Sequence, residues 1–416
     1  MMTLRLAKSL FFINIFFSTF TFSVFAQTSH SELTQQPIKT PVILISLDGF
    51  AQNYLTQYPT PNLHQLMQKS LVAKALLPIY PSKTFPNHLS IVTGVYPNKH
   101  GIIHNKFYDR TLNEFYHLGA GKDQPKWLKA KPIWTRAEQH NIKSAIYFWP
   151  ESEAKIEGVL PSLFMPYNKK TPNLTRVNKI INWLSLPLKQ RPQFVAGYFS
   201  LVDSAGHHFG RGSAELASAI KKTDHLMGVL VAKLKQQLGN NFDLIIVSDH
   251  GMVQIPTNAV INWQDQLTKN TEAIIVNGET QLLIYAKSTK SIEILKQHFI
   301  AKAKGQYNVF SQANFPKHWH WQTMTARTPD LIIDANVPYV FKPQKGDINK
   351  ATHGYDVTKS SDLNAIFIAY GKHFKAGQHI NAFENINIAP LILHLLNIND
   401  AKHLDGSFSL FLPYLQ

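Results

Sequence analysis

The chain has no cysteine in 416 residues. That excludes disulfides, thiolate nucleophiles and thiolate metal sites, so any metal must be held by imidazole, carboxylate or hydroxyl groups. Acidic residues are also scarce, 26 Asp and Glu against 42 Lys and Arg, which gives a formal net charge of +16. The basic residues are scattered, with short pairs such as Lys169-Lys170 and Lys221-Lys222 in place of a continuous run. No nucleic-acid-binding arm is indicated, and most of these charges read as solvated surface. Low-complexity tracts and internal repeats are missing too. With 44% hydrophobic residues, the chain can bury a large core as one big α/β domain or two smaller ones.

One long apolar run exists, Leu10 to Phe25, preceded by Arg5 and Lys8 and closing in Val24-Phe25-Ala26. Those three features read as the charged region, hydrophobic region and cleavage site of a secretory signal peptide, residues 1–26. The run is short for a membrane span, and the chain is membrane-anchored only if the segment stays uncleaved. Cleavage takes away Arg5 and Lys8, lowering the net charge from +16 to +14 and leaving a periplasmic or secreted protein. Residues 27–40 are polar and read as a flexible leader. Residues 41–416 read as a single catalytic domain.

What the chain does contain is a repeated design. Leu244 to Val247 is a partly β-branched apolar run, the pattern of a strand buried on both faces of a parallel sheet, and it stops at Ser248-Asp249-His250-Gly251. Pro41 to Leu47 stops in the same way at Asp48-Gly49-Phe50, and Phe194 to Ser200 leads into Asp203-Ser204-Ala205-Gly206-His207. A further strand is expected at 363–369, just after Thr352-His353-Gly354. Between the strands lie helical patterns near 62–69, 174–184, 213–238 and 385–397. Alternating strands and helices imply an α/β fold, a doubly wound, mostly parallel sheet with helices on both faces. The stretches 106–180 and 252–350 read as insertions at its active edge.

Open α/β sheets place ligand sites at the carboxyl ends of their strands. Asp48, Asp203, His207, Asp249, His250 and His353 all fall at such places, and Asp203 and His207 are one helical turn apart. A single Asp at a turn is an ordinary cap, and most of the 19 histidines must be surface or packing residues. Several strand ends with the same chemistry exceed what capping requires. Three aspartates, three histidines and a hydroxyl suit two adjacent zinc-type sites. The hydroxyl is Thr84, just ahead of a helix whose first turn holds Pro86, where backbone N–H groups favour negative charge. A metal-activated hydroxyl there is a nucleophile candidate.

Six segments in order carry a resemblance. They are Leu47-Asp48-Gly49-Phe50, Lys83-Thr84-Phe85-Pro86-Asn87-His88, His100-Gly101-Ile102-Ile103-His104-Asn105, Asp203-Ser204-Ala205-Gly206-His207, Ser248-Asp249-His250-Gly251 and Thr352-His353-Gly354. Together they resemble the signature of the nucleotide pyrophosphatase/phosphodiesterase family of the alkaline phosphatase superfamily, over about 40–410. The resemblance implies an alkaline-phosphatase-like fold and two zinc ions. One would be held by Asp203, His207 and His353, the other by Asp48, Asp249, His250 and Thr84. It also implies a phospho-threonine intermediate on Thr84 and a phosphate contact from Asn105. Asn87 and His88 are expected to hold the helix start.

Phe85 and Tyr167 resemble the family's two base-stacking aromatics, and Lys122 resembles a lysine near the substrate. The family's cysteine-rich modules are absent, which implies a stand-alone catalytic domain. The expected activity is hydrolysis of nucleotide phosphodiester or pyrophosphate bonds to 5′-mononucleotides. The alternatives are a phosphodiesterase for choline- or glycerol-type phosphodiesters and a non-catalytic, zinc-dependent binding protein. The missing Cys and the missing Cys/Ser-x-Pro-x-Arg motif argue against a sulfatase.

Overall fold

The structure, a computed structural model, describes residues 39–264, 267, 272–343, 346–400 and 403–416. The expected signal segment 1–26 and leader residues 27–38 lie outside the described residues. Among those described, no helix is long and apolar enough to cross a membrane.

Strand β1, Val42–Leu47, is buried along its whole length, as its unbroken apolar run predicts. Seven more strands complete the main sheet: β2 Leu71–Ala73, β3 Ser144–Tyr147, β4 Leu163–Met165, β5 Phe194–Phe199, β6 Asp243–Val247, β7 Phe367–Gly371 and β8 Gln378–Ile380. Their spatial order is β8-β2-β7-β6-β1-β5-β3-β4. The pairings of β1 with β5 and β6 are parallel, as are β5–β3, β3–β4 and β2–β8. Strand β7 alone runs antiparallel to its neighbours β6 and β2. The sheet is therefore mostly parallel and the fold α/β.

Side chains on β1 alternate between two cores. Val42 and Leu44 pack with Leu89, Ile91 and Leu391, from helices α1 Thr84–Thr93 and α5 Ile388–Leu395. Ile43, Ile45 and Leu47 pack with residues of α2 Asn173–Leu184 and α4 Ala214–Leu238, such as Ile180 and Leu230. Helices thus cover both faces, and the period of two along each strand decides which core a side chain joins. In β5, Gly197 leaves room for this packing; an added Cβ would lie 2.8 Å from Ile180 Cδ1.

The expected insertion 106–180 is narrower than the sequence suggested. The hairpin Phe107–Asp109 and Glu114–Tyr116 stands off the main sheet, but β3, β4 and α2 belong to the central architecture. The sequence pattern marks a strand at Ser144 to Phe148, whereas β4 has only three residues and its apolar signal is diluted by the prolines and aromatics around it. In the 252–350 stretch, Ala273–Asn277, Gln281–Ala286, Leu331–Ala335 and Tyr307–Ser311 form a separate four-stranded antiparallel sheet. The strand expected at 363–369 begins later, at Phe367, because Ser361–Leu363 forms a 3₁₀ turn.

Candidate metal centre and catalytic cleft

The register of the parallel strands brings the polar strand ends together. Leu47 pairs with Phe199 and Ser46 with Val247, so the chain leaves β1, β5 and β6 at the same edge of the sheet. Asp48 follows β1, and Gly49 adopts φ +68. A Cβ on Gly49 would lie 2.8 Å from Asp203 Cα, so only glycine permits this approach. Gly49 N donates to Asp249 Oδ1 at 3.2 Å. Helix α3, Leu201–Phe209, carries Asp203 and His207 on one face, with His207 Nε2 3.2 Å from Asp203 Oδ1. His353 follows the short strand Ala351–Thr352, which pairs with Val253–Gln254 just beyond β6.

The three histidines share one arrangement. His207 Nδ1 lies 2.9 Å from Ala351 O, His250 Nδ1 2.9 Å from Gly251 O, and His353 Nδ1 2.8 Å from Ser82 O. Each carbonyl accepts the Nδ1 proton, which fixes the ring and leaves Nε2 as the free donor atom for the centre. His353 Nε2 lies 3.2 Å from His207 Nε2, and the His250 and His353 rings stack at 3.5 Å.

Ligand atoms of Asp203, His250 and His353 lie within 4.8 Å of one another, and so do those of Asp48, Asp249 and His250. Asp48 Oδ1, Asp203 Oδ1 and Asp249 Oδ2 are buried without a hydrogen-bond donor. Burial pushes the Asp48 carboxyl well above its usual range, and repulsion from Asp203 and Asp249 adds to the effect. Three orphaned carboxylate oxygens at this spacing are costly unless a cation offsets them. Outward-pinned imidazoles, unpartnered carboxylates and the lack of sulfur together fit hard or borderline divalent cations.

Thr84 is the first residue of α1, and its Oγ1 lies 3.3 Å from His250 Nε2. The residues behind it hold the helix start in place. Asn87 Nδ2 donates to Lys83 O at 2.8 Å, while its Oδ1 accepts from Ile79 N at 2.8 Å. Asn105 Oδ1 accepts from Phe85 N at 3.0 Å, tying the loop after Gly101 to the same helix end. Thr84, Phe85, Asn105, Lys122 and Tyr167 all line one cavity of about 500 Å³, together with Asp48, Asp203, His207 and His353. Tyr167 is 52% exposed and packs edge-on against Phe148. Lys122 Nζ reaches Glu153 Oε2 at 3.3 Å. Asp249, His250, Asn87 and His88 are fully buried and do not line that cavity.

The long-range contacts made by His88, and the place of Tyr198, were not apparent from sequence. His88 bridges three elements: Nε2 lies 2.8 Å from Ser46 Oγ, and Nδ1 lies 2.9 Å from Thr84 O and 3.2 Å from Asp249 Oδ2. It therefore holds the helix start while lying beside Asp249. Tyr198 donates its hydroxyl to Asp48 Oδ2, and Trp149 Nε1 donates to His88 O at 3.1 Å. Period-two alternation along β5 was the one available signal for Tyr198.

Glu151 also lines the cleft, at φ +62 and only 6% exposed. Its Oε1 accepts from Tyr116 OH at 2.5 Å, and Oε2 has no partner. Burial pushes its carboxyl up from 4.5 to about 7, despite the Tyr116 hydrogen bond. The folded state therefore holds this proton more tightly than the unfolded chain, and the associated stability is present below pH 4.5 and lost as pH rises through about 7. At 1.36 kcal/mol per pH unit the full effect is roughly 3 kcal/mol. Glu151→Gln is expected to flatten the decline in urea midpoint between pH 5 and pH 8; an unchanged slope would contradict this.

The chain is similar to known proteins in sequence and in fold. A family model for type I phosphodiesterase/nucleotide pyrophosphatase matches residues 42–356. The chain is 35% identical over 376 residues to a venom phosphodiesterase of Macrovipera lebetinus, covering 88% of this chain and 44% of that protein. It is 33% identical over 382 residues to ectonucleotide pyrophosphatase/phosphodiesterase family member 1 of Rattus norvegicus, covering 89% and 42%. It spans under half the length of these curated relatives. Among solved structures, murine ectonucleotide pyrophosphatase/phosphodiesterase 5, as an inactive variant in complex with AMP, superposes with a TM-score of 0.84 at 29% identity. That match covers 91% of this chain and 100% of the other. The chain belongs to the type I phosphodiesterase/nucleotide pyrophosphatase family.

Proposed function

We propose that the protein is an exported phosphodiesterase that hydrolyses nucleotide phosphodiester or pyrophosphate bonds to 5′-mononucleotides through a covalent intermediate on Thr84. The observation that carries this reading is the placement of Thr84 Oγ1 3.3 Å from His250 Nε2, in one cavity with two aromatic side chains, Phe85 and Tyr167. A nucleophile beside an Asp/His centre suits phosphoryl chemistry, and the flat rings suit a nucleobase. The export reading is supported by the charged and apolar residues 1–26 and by relatives named as venom and ectonucleotide enzymes.

Two zinc ions, one held by Asp203, His207 and His353 and the other by Asp48, Asp249, His250 and Thr84, would lower the pKa of the threonine hydroxyl and offset charge on the phosphate oxygens. The remaining work falls to the chain. Thr84 Oγ1 forms a bond to phosphorus as the bond to the leaving oxygen breaks, and water then cleaves the threonine ester. Asn105 commits its Oδ1 to Phe85 N, which leaves Nδ2 to donate to a phosphate oxygen. His88 and Asn87 keep the attacking residue at the head of α1.

Each aromatic face that stacks on a base contributes roughly 1–3 kcal/mol. Tyr167→Ala is therefore expected to raise KM for a nucleotide ester about tenfold with little change in kcat, since Tyr167 is assigned to the base and not to the reacting atoms. An unaltered KM in steady-state kinetics would remove Tyr167 from the pocket. The functional test is a parallel assay on p-nitrophenyl thymidine 5′-monophosphate, p-nitrophenyl phosphate and p-nitrophenyl phosphocholine. Fast turnover of the nucleotide ester alone is expected. Preference for phosphocholine would discard the nucleotide reading, and inactivity on all three with metal bound would favour a binding protein.

A further inference from the structure

The loop that follows β3 touches both walls of the slot assigned to the base. It runs from Phe148 to Glu153, and within it Phe148 and Glu151 adopt left-handed φ, +65 and +62. Side chains other than glycine take that conformation at a cost, which contacts around them must offset. Those contacts are present. Trp149 Nε1 donates to His88 O at 3.1 Å, tying the loop to α1, the helix that carries Thr84 and Phe85. Ser152 N and Oγ both donate to Trp149 O, at 3.1 and 2.7 Å, and close the loop on itself.

The two ends of the loop hold Tyr167. The Phe148 ring packs edge-on against it at 5.2 Å, and Glu153 Oε1 accepts from Tyr167 N at 2.9 Å. The middle of the loop reaches the other wall. Glu151 Oε1 accepts from Tyr116 OH at 2.5 Å, and the buried Tyr116 ring lies edge-on to Phe85 at 6.4 Å. Phe107 stacks on the same Tyr116 ring at 4.7 Å, which leaves the hydroxyl as its one polar anchor. Room for the Glu151 carboxyl comes from Gly121, where an added Cβ would lie 1.4 Å from Oε2. Any other residue at 121 would displace the acid. Neither the metal centre nor the attack on phosphorus uses Glu151.

We propose that Glu151 is a positioning residue for nucleoside recognition: through Tyr116 it fixes Phe85 at the separation from Tyr167 that a base requires. The inference rests on the nucleotide reading above and deepens it. The neutral carboxyl suits this place, because Oε2 has no donor and the cations nearby are engaged elsewhere. Arg327 pairs with Asp109 at 2.7 Å, and Lys122, next to Gly121, pairs with Glu153 at 3.3 Å. Loss of the proton, favoured above about 7, places an unmatched charge behind Tyr116 and loosens the Phe85 wall.

The test compares kcat/KM for p-nitrophenyl thymidine 5′-monophosphate and methyl p-nitrophenyl phosphate. The two share the leaving group and the reacting diester, so titration of the metal centre and of Thr84 cancels in their ratio. Glu151→Ala leaves the Tyr116 hydroxyl unpaired and is expected to lower the ratio roughly fivefold or more, through KM of the nucleotide ester. Turnover of the methyl ester should stay within about twofold. Gly121→Ala keeps the acid but displaces it, and is expected to act in the same way. Glu151→Gln preserves an acceptor for Tyr116 and is expected to hold the wild-type ratio near pH 6. Between about pH 6 and pH 8.5 the wild-type ratio should fall roughly threefold or more, while that of Glu151→Gln stays flat. Melting temperatures are measured alongside. A ratio unchanged within about twofold in both alanine variants, or an equal decline with pH in Glu151→Gln, overturns the inference while leaving the nucleotide reading standing. A wild type that does not prefer the nucleotide ester means that the nucleotide reading has failed first, and the inference falls with it.

Discussion

Thr84→Ala is expected to lower kcat/KM on p-nitrophenyl thymidine 5′-monophosphate by roughly 10³-fold or more, the scale seen when a covalent nucleophile is deleted. The loss should fall on kcat, because the groups assigned to base and phosphate, Phe85, Tyr167 and Asn105, remain in the cleft. Stability should change little. The contacts that fix the head of α1 run through the backbone of Lys83 and Thr84, with Asn87 Nδ2 on Lys83 O and His88 Nδ1 on Thr84 O. Removing a half-buried hydroxyl disturbs neither of them. Thr84→Ser keeps the oxygen and is expected to retain activity within roughly tenfold to a hundredfold of wild type. Near-wild-type hydrolysis by Thr84→Ala with zinc still bound would show that another group attacks phosphorus.

Metal removal is the second large effect. Dialysis against a strong chelator is expected to abolish turnover and also to lower the melting temperature by several degrees. The second result follows from the fold itself. Asp48, Asp203 and Asp249 are brought together by parallel pairing of β1, β5 and β6, and each has a buried oxygen without a donor. A cation that binds only the folded state at a thousandfold excess over its Kd stabilises it by roughly 4 kcal/mol. Carboxylate and imidazole ligands bind a cation only when deprotonated, so re-addition of zinc should restore both properties fully near pH 8 and poorly near pH 5. A chelated protein with unchanged melting temperature and no change in activity would contradict the assignment of the Asp/His cluster as a metal centre.

How much of this was legible beforehand depended on how each feature is built. Strands β1 and β6 announced themselves as unbroken apolar runs because both faces of a central parallel strand are buried. The polar residues after them were readable because the same ending recurs at Asp48, Asp203 and Asp249, where any one alone would pass as a cap. Thr84 was marked by the Pro86 and Asn87 that follow it. What escaped was set by tertiary contact. His88 meets Asp249 across 161 positions of sequence, and nothing local to either residue signals it. Glu279 lies in the antiparallel sheet of the 252–350 stretch, whose turn brings it to Lys83 from the far side of the cleft. Short strands such as β4 carry only three residues, too few for a period of two to stand out. Tyr167 and Lys122 were reached through resemblance, because an exposed aromatic or lysine has no pattern of its own.

The most direct test of the central claim is the stereochemistry at phosphorus. A nucleotide p-nitrophenyl phosphorothioate of defined configuration is hydrolysed in ¹⁸O-labelled water, and the configuration of the product is determined. Attack by Thr84 followed by attack of water is two in-line displacements, each inverting phosphorus, so net retention is predicted. Net inversion would mean that water attacks the substrate directly, and Thr84 would not be the nucleophile.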